Sequence, residues 1–139
     1  METFRDKLNS GKFVVTTEIG PPKGVSLDAV LKELACVKGK VDAVNVTDQQ
    51  SSIMRLGSVA MSKVLIDNGY EPICQVACRD RNRIALESDI LSAYVLGIRN
   101  MLVMTGDHPL LGDHPEAKPV YDLDSIGLLH ALKTLQEGV

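Results

Sequence analysis

The sequence predicts an α/β fold: half of a TIM (β/α)8 barrel, four parallel βα units behind a short N-terminal helix. Three observations predict it. Nearly continuous apolar runs at about Lys12 to Ile19, Val41 to Thr47, Ile73 to Cys78 and Met101 to Thr105 read as strands of a parallel sheet covered on both faces. Each run is followed by apolar residues at helical spacing and then a glycine stop. Each also carries polar residues near its downstream end, the end at which such a barrel builds its active site. A complete eight-unit barrel takes about 250 residues. The 139 residues here hold four units, so 1–139 reads as one (βα)4 half-barrel domain, either an amino-terminal piece or a half that pairs with another chain.

The elements follow in order. Met1 to Ser10 is expected to form a lead-in amphipathic helix with Phe4 and Leu8 on one side, closed by Gly11. After strand one, Gly20-Pro21-Pro22-Lys23-Gly24 can continue neither periodic structure. Ser26 is then expected to cap a helix bearing Leu27, Val30, Leu31 and Leu34 that ends at Gly39. Strand two leads through a polar loop to a helix with Leu56, Val59, Ala60 and Val64, stopped at Asn68-Gly69. Strand three gives way to Arg79-Asp80-Arg81-Asn82, where Asn82 caps a helix carrying Ile84, Leu91 and Tyr94 up to Gly97. After strand four, the connection from Gly106 to Tyr121 is long beside the usual 2 to 6 or so residues of a βα loop. It leads to Asp122 or Asp124 as cap of a last helix with Ile126, Leu129, Leu132 and Leu135, and to Gly138 as its stop.

Composition narrows the function classes. An apolar share of 45% and a charged share of 24% are those of an ordinary globular protein. The 15 basic residues against 18 acidic ones give a net charge of −3, with no basic stripe interleaved with aromatics, so nucleic acid is not an expected partner. No apolar run approaches the roughly 18–20 residues of a membrane span, and the first residues lack a signal-peptide core. A cytoplasmic protein with no membrane partner is therefore expected. Cys74 and Cys78 lie about 13 Å apart along one strand, too far to bridge each other. The three cysteines read as buried small apolar groups in a reducing compartment.

Alternation along the strands puts Thr16 with Glu18 and Thr105 with Asp107, and these are read as facing inward together with Asn45, Thr47 and Gln75. Glu18 and Asp107 are the residue types from which a site makes one acid and one anion. The competing reading is that each caps a loop or accepts a backbone N–H. Asn45, Thr47 and Gln75 are neutral groups suited to the carbonyls and ring nitrogens of a heterocycle, or else members of a satisfied polar core. Gly106-Asp107-His108-Pro109 recurs as Gly112-Asp113-His114-Pro115, which invites a metal reading. A Pro-punctuated loop lacks the rigid support metal ligands need, so no metal site is expected. His130 reads as a surface or packing histidine. Arg79, Arg81 and Arg83 could meet a phosphate or polyglutamate-like anion, against the plainer reading of a solvated loop paired with Asp80. With no Gly-x-Gly-x-x-Gly or P-loop pattern, any cofactor must be held at the barrel mouth.

Five segments, in this order and spacing, carry a further resemblance: Thr17-Glu18-Ile19-Gly20-Pro21-Pro22-Lys23, Val46-Thr47-Asp48, Cys78-Arg79-Asp80-Arg81-Asn82-Arg83, Thr105-Gly106-Asp107-His108-Pro109 and Lys118-Pro119-Val120-Tyr121-Asp122. Together they resemble the methylenetetrahydrofolate reductase family over nearly the whole chain. The resemblance implies a TIM-barrel flavoprotein oxidoreductase of one-carbon metabolism and methionine biosynthesis. It passes hydride from NAD(P)H through FAD to 5,10-methylenetetrahydrofolate, giving 5-methyltetrahydrofolate. It implies Glu18 as the general acid that protonates the folate, and Asp107 as the carboxylate near flavin and pterin. Thr47, Gly106 and Tyr121 match flavin-contacting positions, and Gln75 and Thr105 stand at further cofactor positions. Asn45 joins Glu18 and Asp107 toward the substrate.

The family's strands five to eight have no counterpart here. A lone half leaves strands one and four with open edges. A homo-oligomer or pairing with a second half-barrel is therefore expected. Other readings are a folate- or pterin-binding module or partner subunit that does not turn over, and a scaffold that binds neither.

Overall fold

The computed structural model describes residues 2–138, which form five α-helices and four strands in strict alternation after the first helix. These are α1 (Phe4–Asn9), β1 (Thr16–Ile19), α2 (Asp28–Ala35), β2 (Ala43–Val46), α3 (Ser58–Asp67), β3 (Pro72–Ala77), α4 (Arg83–Val95), β4 (Asn100–Met104) and α5 (Ser125–Glu137). The four strands pair in parallel in the order β1-β2-β3-β4. A four-stranded parallel sheet of successive βα units is consistent with half of a TIM barrel, with β1 and β4 as its edges.

Register decides which side chains share a face. Ile19 pairs with Val46, Val46 with Cys74, and Cys74 with Met101, so one row crosses all four strands. That row packs under the helices. Ile19, Val44 and Val46 form a core with Val30, Leu34, Met61 and Leu65. Cys74, Val76 and Cys78 form another with Leu86, Ile90, Ala93, Ile98 and Leu128, against which Met101 and Val103 pack. Each fully buried leucine stabilises the fold by roughly 1.5–3 kcal/mol over leaving it in water. The opposite face of the sheet, which includes Glu18, Asn45, Gln75 and Leu102, points away from the helices.

Two predicted caps form. Asn82 accepts from the Ala85 N–H at 3.1 Å, and Asp124 accepts from the Gly127 N–H at 2.7 Å, which leaves Asp122 for another role. Ser26 does not cap α2. The chain is already in the right-handed conformation at Leu27, so Ser26 sits one residue outside the capping position and no side chain caps this helix. β1 and β2 start later than the apolar runs that announce them, at Thr16 and Ala43, whereas β3 and β4 each start one residue earlier, at Pro72 and Asn100.

Three helix faces differ from expectation. On α4, Ile84, Leu91 and Tyr94 are 75%, 54% and 64% exposed, and Leu86, Ile90 and Ala93 are the buried row. This helix is apolar on two sides, and only the second row meets β3 and α5. On α5, Ile126 and Leu129 are exposed, whereas Leu128 is buried and Leu132 and Leu135 pack beside it. On α3 the departure is smaller: Val59 and Val64, with Leu56 just before the helix, pack against the cores as expected, while Ala60 is exposed and the most buried row is Ser58, Met61, Ser62 and Leu65. Leu8 is exposed as well, because the short α1 buries only Phe4. Cys36 is exposed, unlike the buried Cys74 and Cys78.

Candidate active site

At the C-terminal ends of the strands lies a cavity of about 550 Å³, lined by Glu18, Thr47, Asp48, Gln75, Ala77, Arg79, Leu102, Met104, Gly106 and Asp107 and by residues 49–51. Glu18 reaches it because its neighbour Ile19 is committed to the core, which turns Glu18 to the other face. Gln75, on the same face of β3, is 6% exposed and donates from Nε2 to Glu18 Oε2 at 3.4 Å. Its own carbonyl accepts from Ser58 Oγ at 2.8 Å, which fixes the strand beneath it. Asn45 is the register partner of Glu18, but its amide donates to the Thr17 carbonyl at 3.4 Å, and it is not among the cavity-lining residues.

Thr47 follows the end of β2, and its N–H donates to the Ile19 carbonyl at 3.1 Å. Its hydroxyl oxygen is buried at the cavity wall without a hydrogen-bond partner among the described residues. A buried hydroxyl without a partner is unfavourable by roughly 1–3 kcal/mol, so this atom suits a ligand that supplies one.

Asp107 reaches the cavity by a different device. Met101 and Val103 face the helices, so strict alternation sends Thr105 the same way, and it goes there. Thr105 Oγ1 accepts from the N–H of Ser125 at the start of α5, at 3.2 Å, and Thr105 is not a cavity-lining residue, contrary to its expected inward face. Gly106 then breaks the alternation with a φ of +97°, in a space where an added Cβ would lie 3.1 Å from Arg79 Cβ and 3.3 Å from Ala77 Cβ. After this turn Asp107 lines the cavity. Tyr121 does not line it; its hydroxyl donates to the Gly106 carbonyl at 3.1 Å and braces the turn from behind.

The arginine cluster is solvated only in part: Arg83 is exposed and Asp80 is the expected partner of Arg79, but Arg79 itself is buried. Arg79 is 2% exposed and joins three segments: it donates to both oxygens of Asp80 at 2.8 Å, to the Asp107 carbonyl at 3.1 Å and to the Gln49 carbonyl at 3.3 Å. Burial works against its charge, and the Asp80 carboxylate more than offsets this. Arg83 grips Asp122 with Nε at 2.8 Å and Nη2 at 3.0 Å, while its backbone N–H donates at 2.9 Å. These contacts hold the Asp122 carboxyl down at about 2. Arg81 donates to Asp89 at 3.1 Å and to Asp48. Each arginine of the cluster thus has a carboxylate partner already.

Asp48 was not marked as a site residue in the sequence. It is 3% exposed, accepts from the Ala77 N–H at 2.9 Å, and has Arg81 on the same oxygen. Burial pushes its carboxyl up, opposed first by the Arg81 charge and then by the Ala77 N–H. The available signal was an acid following Thr47 in an apolar run, in a chain with three closely spaced arginines downstream.

The loop after β2 is held in an uncommon shape. Gln49, Ser51 and Ser52 have φ of 50°, 55° and 58°, left-handed values that cost non-glycine residues about 1–3 kcal/mol each and that cluster at functional sites. Gln49 offsets part of this by pairing with both the N–H and the carbonyl of Arg55, at 2.6 and 3.0 Å. The two Asp-His pairs are used separately. His108 Nδ1 accepts from the Leu110 N–H at 3.2 Å, and His114 sits 3.0 Å from Asp113.

The site therefore offers Glu18 and Asp107 beside a third carboxylate, Asp48, that is paired with Arg81, together with an amide directed at Glu18, an unpaired hydroxyl and an apolar wall from Leu102 and Met104, framed by the buried Arg79. Such a set can pass a proton and can grip a flat, nitrogen-rich ring. Among the described residues no helix is long and apolar enough to cross a membrane. The protein-family model for methylenetetrahydrofolate reductase matches residues 3–137, nearly the whole chain. No curated protein matches the sequence.

Proposed function

The chain belongs to the methylenetetrahydrofolate reductase family, and from that premise we propose that it forms the amino-terminal half of a reductase that converts 5,10-methylenetetrahydrofolate to 5-methyltetrahydrofolate. Family membership supports a folate-related oxidoreductase; the steps and residue roles that follow are our reading. The observation that carries it is that Glu18, on the edge strand β1, and Asp107, just past the end of the opposite edge strand β4, line one cavity.

FAD, when bound, would relay hydride from NAD(P)H. Thr47 through its unpaired hydroxyl, Gln75 through its amide, and the Cβ-free Gly106 are the groups that would hold it against the apolar wall. Glu18 donates a proton to the folate nitrogen that leaves when the five-membered ring opens. The C–N bond breaks and the methylene carbon becomes part of an iminium ion. Hydride adds to that carbon and makes the methyl group. Asp107, beside the same space, stabilises the developing cation. Solvent then returns the proton to Glu18.

The test replaces Glu18 with Gln in an intact protein containing this region, and follows folate reduction separately from flavin reduction by NAD(P)H. Folate reduction falls by roughly 10²–10⁴-fold, the usual weight of a general acid, while flavin reduction persists. Undiminished folate turnover removes the acid assignment.

The open sheet favours a second element of the proposal. Leu102 on the cavity face is 45% exposed, and Phe13 beside β1 is 92% exposed. We pair these edges with a second half-barrel, in another copy or another chain. Light scattering then gives a mass above that of one chain, and a concentration-independent monomer contradicts it. Should the protein be colourless yet bind folate, the alternative of a non-catalytic pterin- or folate-binding subunit replaces the reductase.

A further inference from the structure

The second Gly-Asp-His-Pro copy has no part in the chemistry above, and it falls where three βα loops meet. Asp113 accepts from the Met54 N–H at 3.0 Å, and its other oxygen lies 3.3 Å from Lys23 Nζ. Lys23 belongs to the loop after β1, Met54 to the loop after β2, and Asp113 to the loop after β4. The Met54 N–H, then His114 and Lys23, hold the Asp113 carboxyl far below the usual carboxylate range.

Next to this contact Ser52 Oγ donates to the carbonyls of Asp107 at 2.8 Å and His108 at 3.1 Å. Gly112 presses on the same residue so closely that a Cβ there would lie 1.8 Å from the Ser52 carbonyl oxygen. Both ends of the segment 107–113 are therefore pinned to the loop after β2. The exposed pair with Lys23 contributes little by itself. The backbone N–H of Met54 and the bare α-carbon of Gly112 carry the attachment.

We propose that Asp113 is a positioning residue for the cavity, clasping the three loops together and so fixing Asp107 at the rim, without itself touching the ligand. The inference rests on the reading of Asp107 as a ligand-facing carboxylate.

The experiment compares the unaltered chain with Asp113→Ala, Asp113→Asn and Gly112→Ala. It measures amide exchange at Met54 and at the sheet, melting temperature, and affinity for 5-methyltetrahydrofolate. In Asp113→Ala and Gly112→Ala, Met54 exchanges at least about tenfold faster and folate affinity drops roughly tenfold, the weight of one charge-assisted hydrogen bond, while sheet amides keep their protection. Asp113→Asn, which retains an acceptor for Met54, recovers most of the affinity. Unchanged Met54 exchange overturns the clasp, as does a freed Met54 with undiminished affinity, or a loss of protection across the whole sheet. If the unaltered chain binds no folate, the reductase reading fails separately, and the clasp is then judged by Met54 exchange together with backbone order at Asp107.

Discussion

Gln75 Nε2 lies 3.4 Å from Glu18 Oε2, so an amide on β3 spans the width of β2 to meet a carboxylate on β1. The strand between them does not intervene, because Asn45, level with Glu18, turns its own amide to the Thr17 carbonyl. Glu18 is thus oriented from two strands away by a side chain that is itself almost fully buried.

Replacing Gln75 with Leu keeps the volume and removes the N–H donor. A hydrogen bond typically contributes about 0.5–1.5 kcal/mol, the upper end of which is a factor of about ten. On the reading proposed above, the folate-reducing half-reaction slows by about tenfold, while flavin reduction by NAD(P)H changes less. Stopped-flow absorbance separates the two steps. A variant that reduces folate at the unaltered rate shows that Glu18 takes its orientation from elsewhere.

Strand and helix order was legible because burial writes it into the sequence. The row Ile19, Val46, Cys74 and Met101 is apolar in every strand, and a glycine or a capping side chain punctuates most junctions. Side-chain direction was less legible. For β4, alternation alone carries Asp107 outward with Thr105, and it is the left-handed turn at Gly106 that returns it to the cavity. Sequence periodicity has no symbol for that reversal. On α4 the period was right and the face wrong, since two apolar rows compete and only the packing of the sheet chooses between them. Asp48 and Arg79 were missed as buried groups because charged residues are buried only when paired, and their pairing is a property of the folded chain.

The choice of face on α4 can be measured. Leu86 is fully buried and Leu91 is 54% exposed on the same helix. Leu86→Ala costs about 2–5 kcal/mol, as truncation of a core leucine does. Leu91→Ala stays within about 0.5 kcal/mol, as for a surface site. Urea denaturation of the two variants gives the comparison, and equal losses mean that the outer row of α4 is covered in solution.

The Asp48–Arg81 pair makes an asymmetric prediction. Removing Arg81 alone, as Arg81→Met, leaves the carboxylate of Asp48 buried with the Ala77 N–H as its remaining donor. Stranding one buried charge typically costs about 3–5 kcal/mol, whereas replacing both partners with apolar groups is often close to neutral. The double variant Asp48→Leu, Arg81→Met is therefore more stable than Arg81→Met alone, by denaturant midpoint. If the double variant is the less stable of the two, the pair contributes more than its desolvation costs, and the hydrogen bond from Ala77 is part of the reason.

Stability toward acid depends on Asp122. Arg83 holds its carboxyl at about 2 in the folded chain against an ordinary value of 3.8. As pH falls through the ordinary value, the unfolded chain takes up a proton that the folded chain refuses until about 2. The unfolded state then binds more protons, and stability drops with pH across that window. Above the window the contribution is complete; below about 2 it is gone. Asp113 acts with the same sign and extends the window downward. Because Asp122 and Arg83 are exposed, the contribution is modest and shrinks with added salt. Asp122→Asn keeps the shape and loses the charge. The gap in denaturant midpoint between it and the unaltered chain is widest at about pH 6 and closes toward pH 2 or so, because protonation there does to the unaltered residue what the substitution does at every pH. A gap that stays constant down to that point means that the Asp122–Arg83 contact stabilises the fold through its geometry rather than its charge.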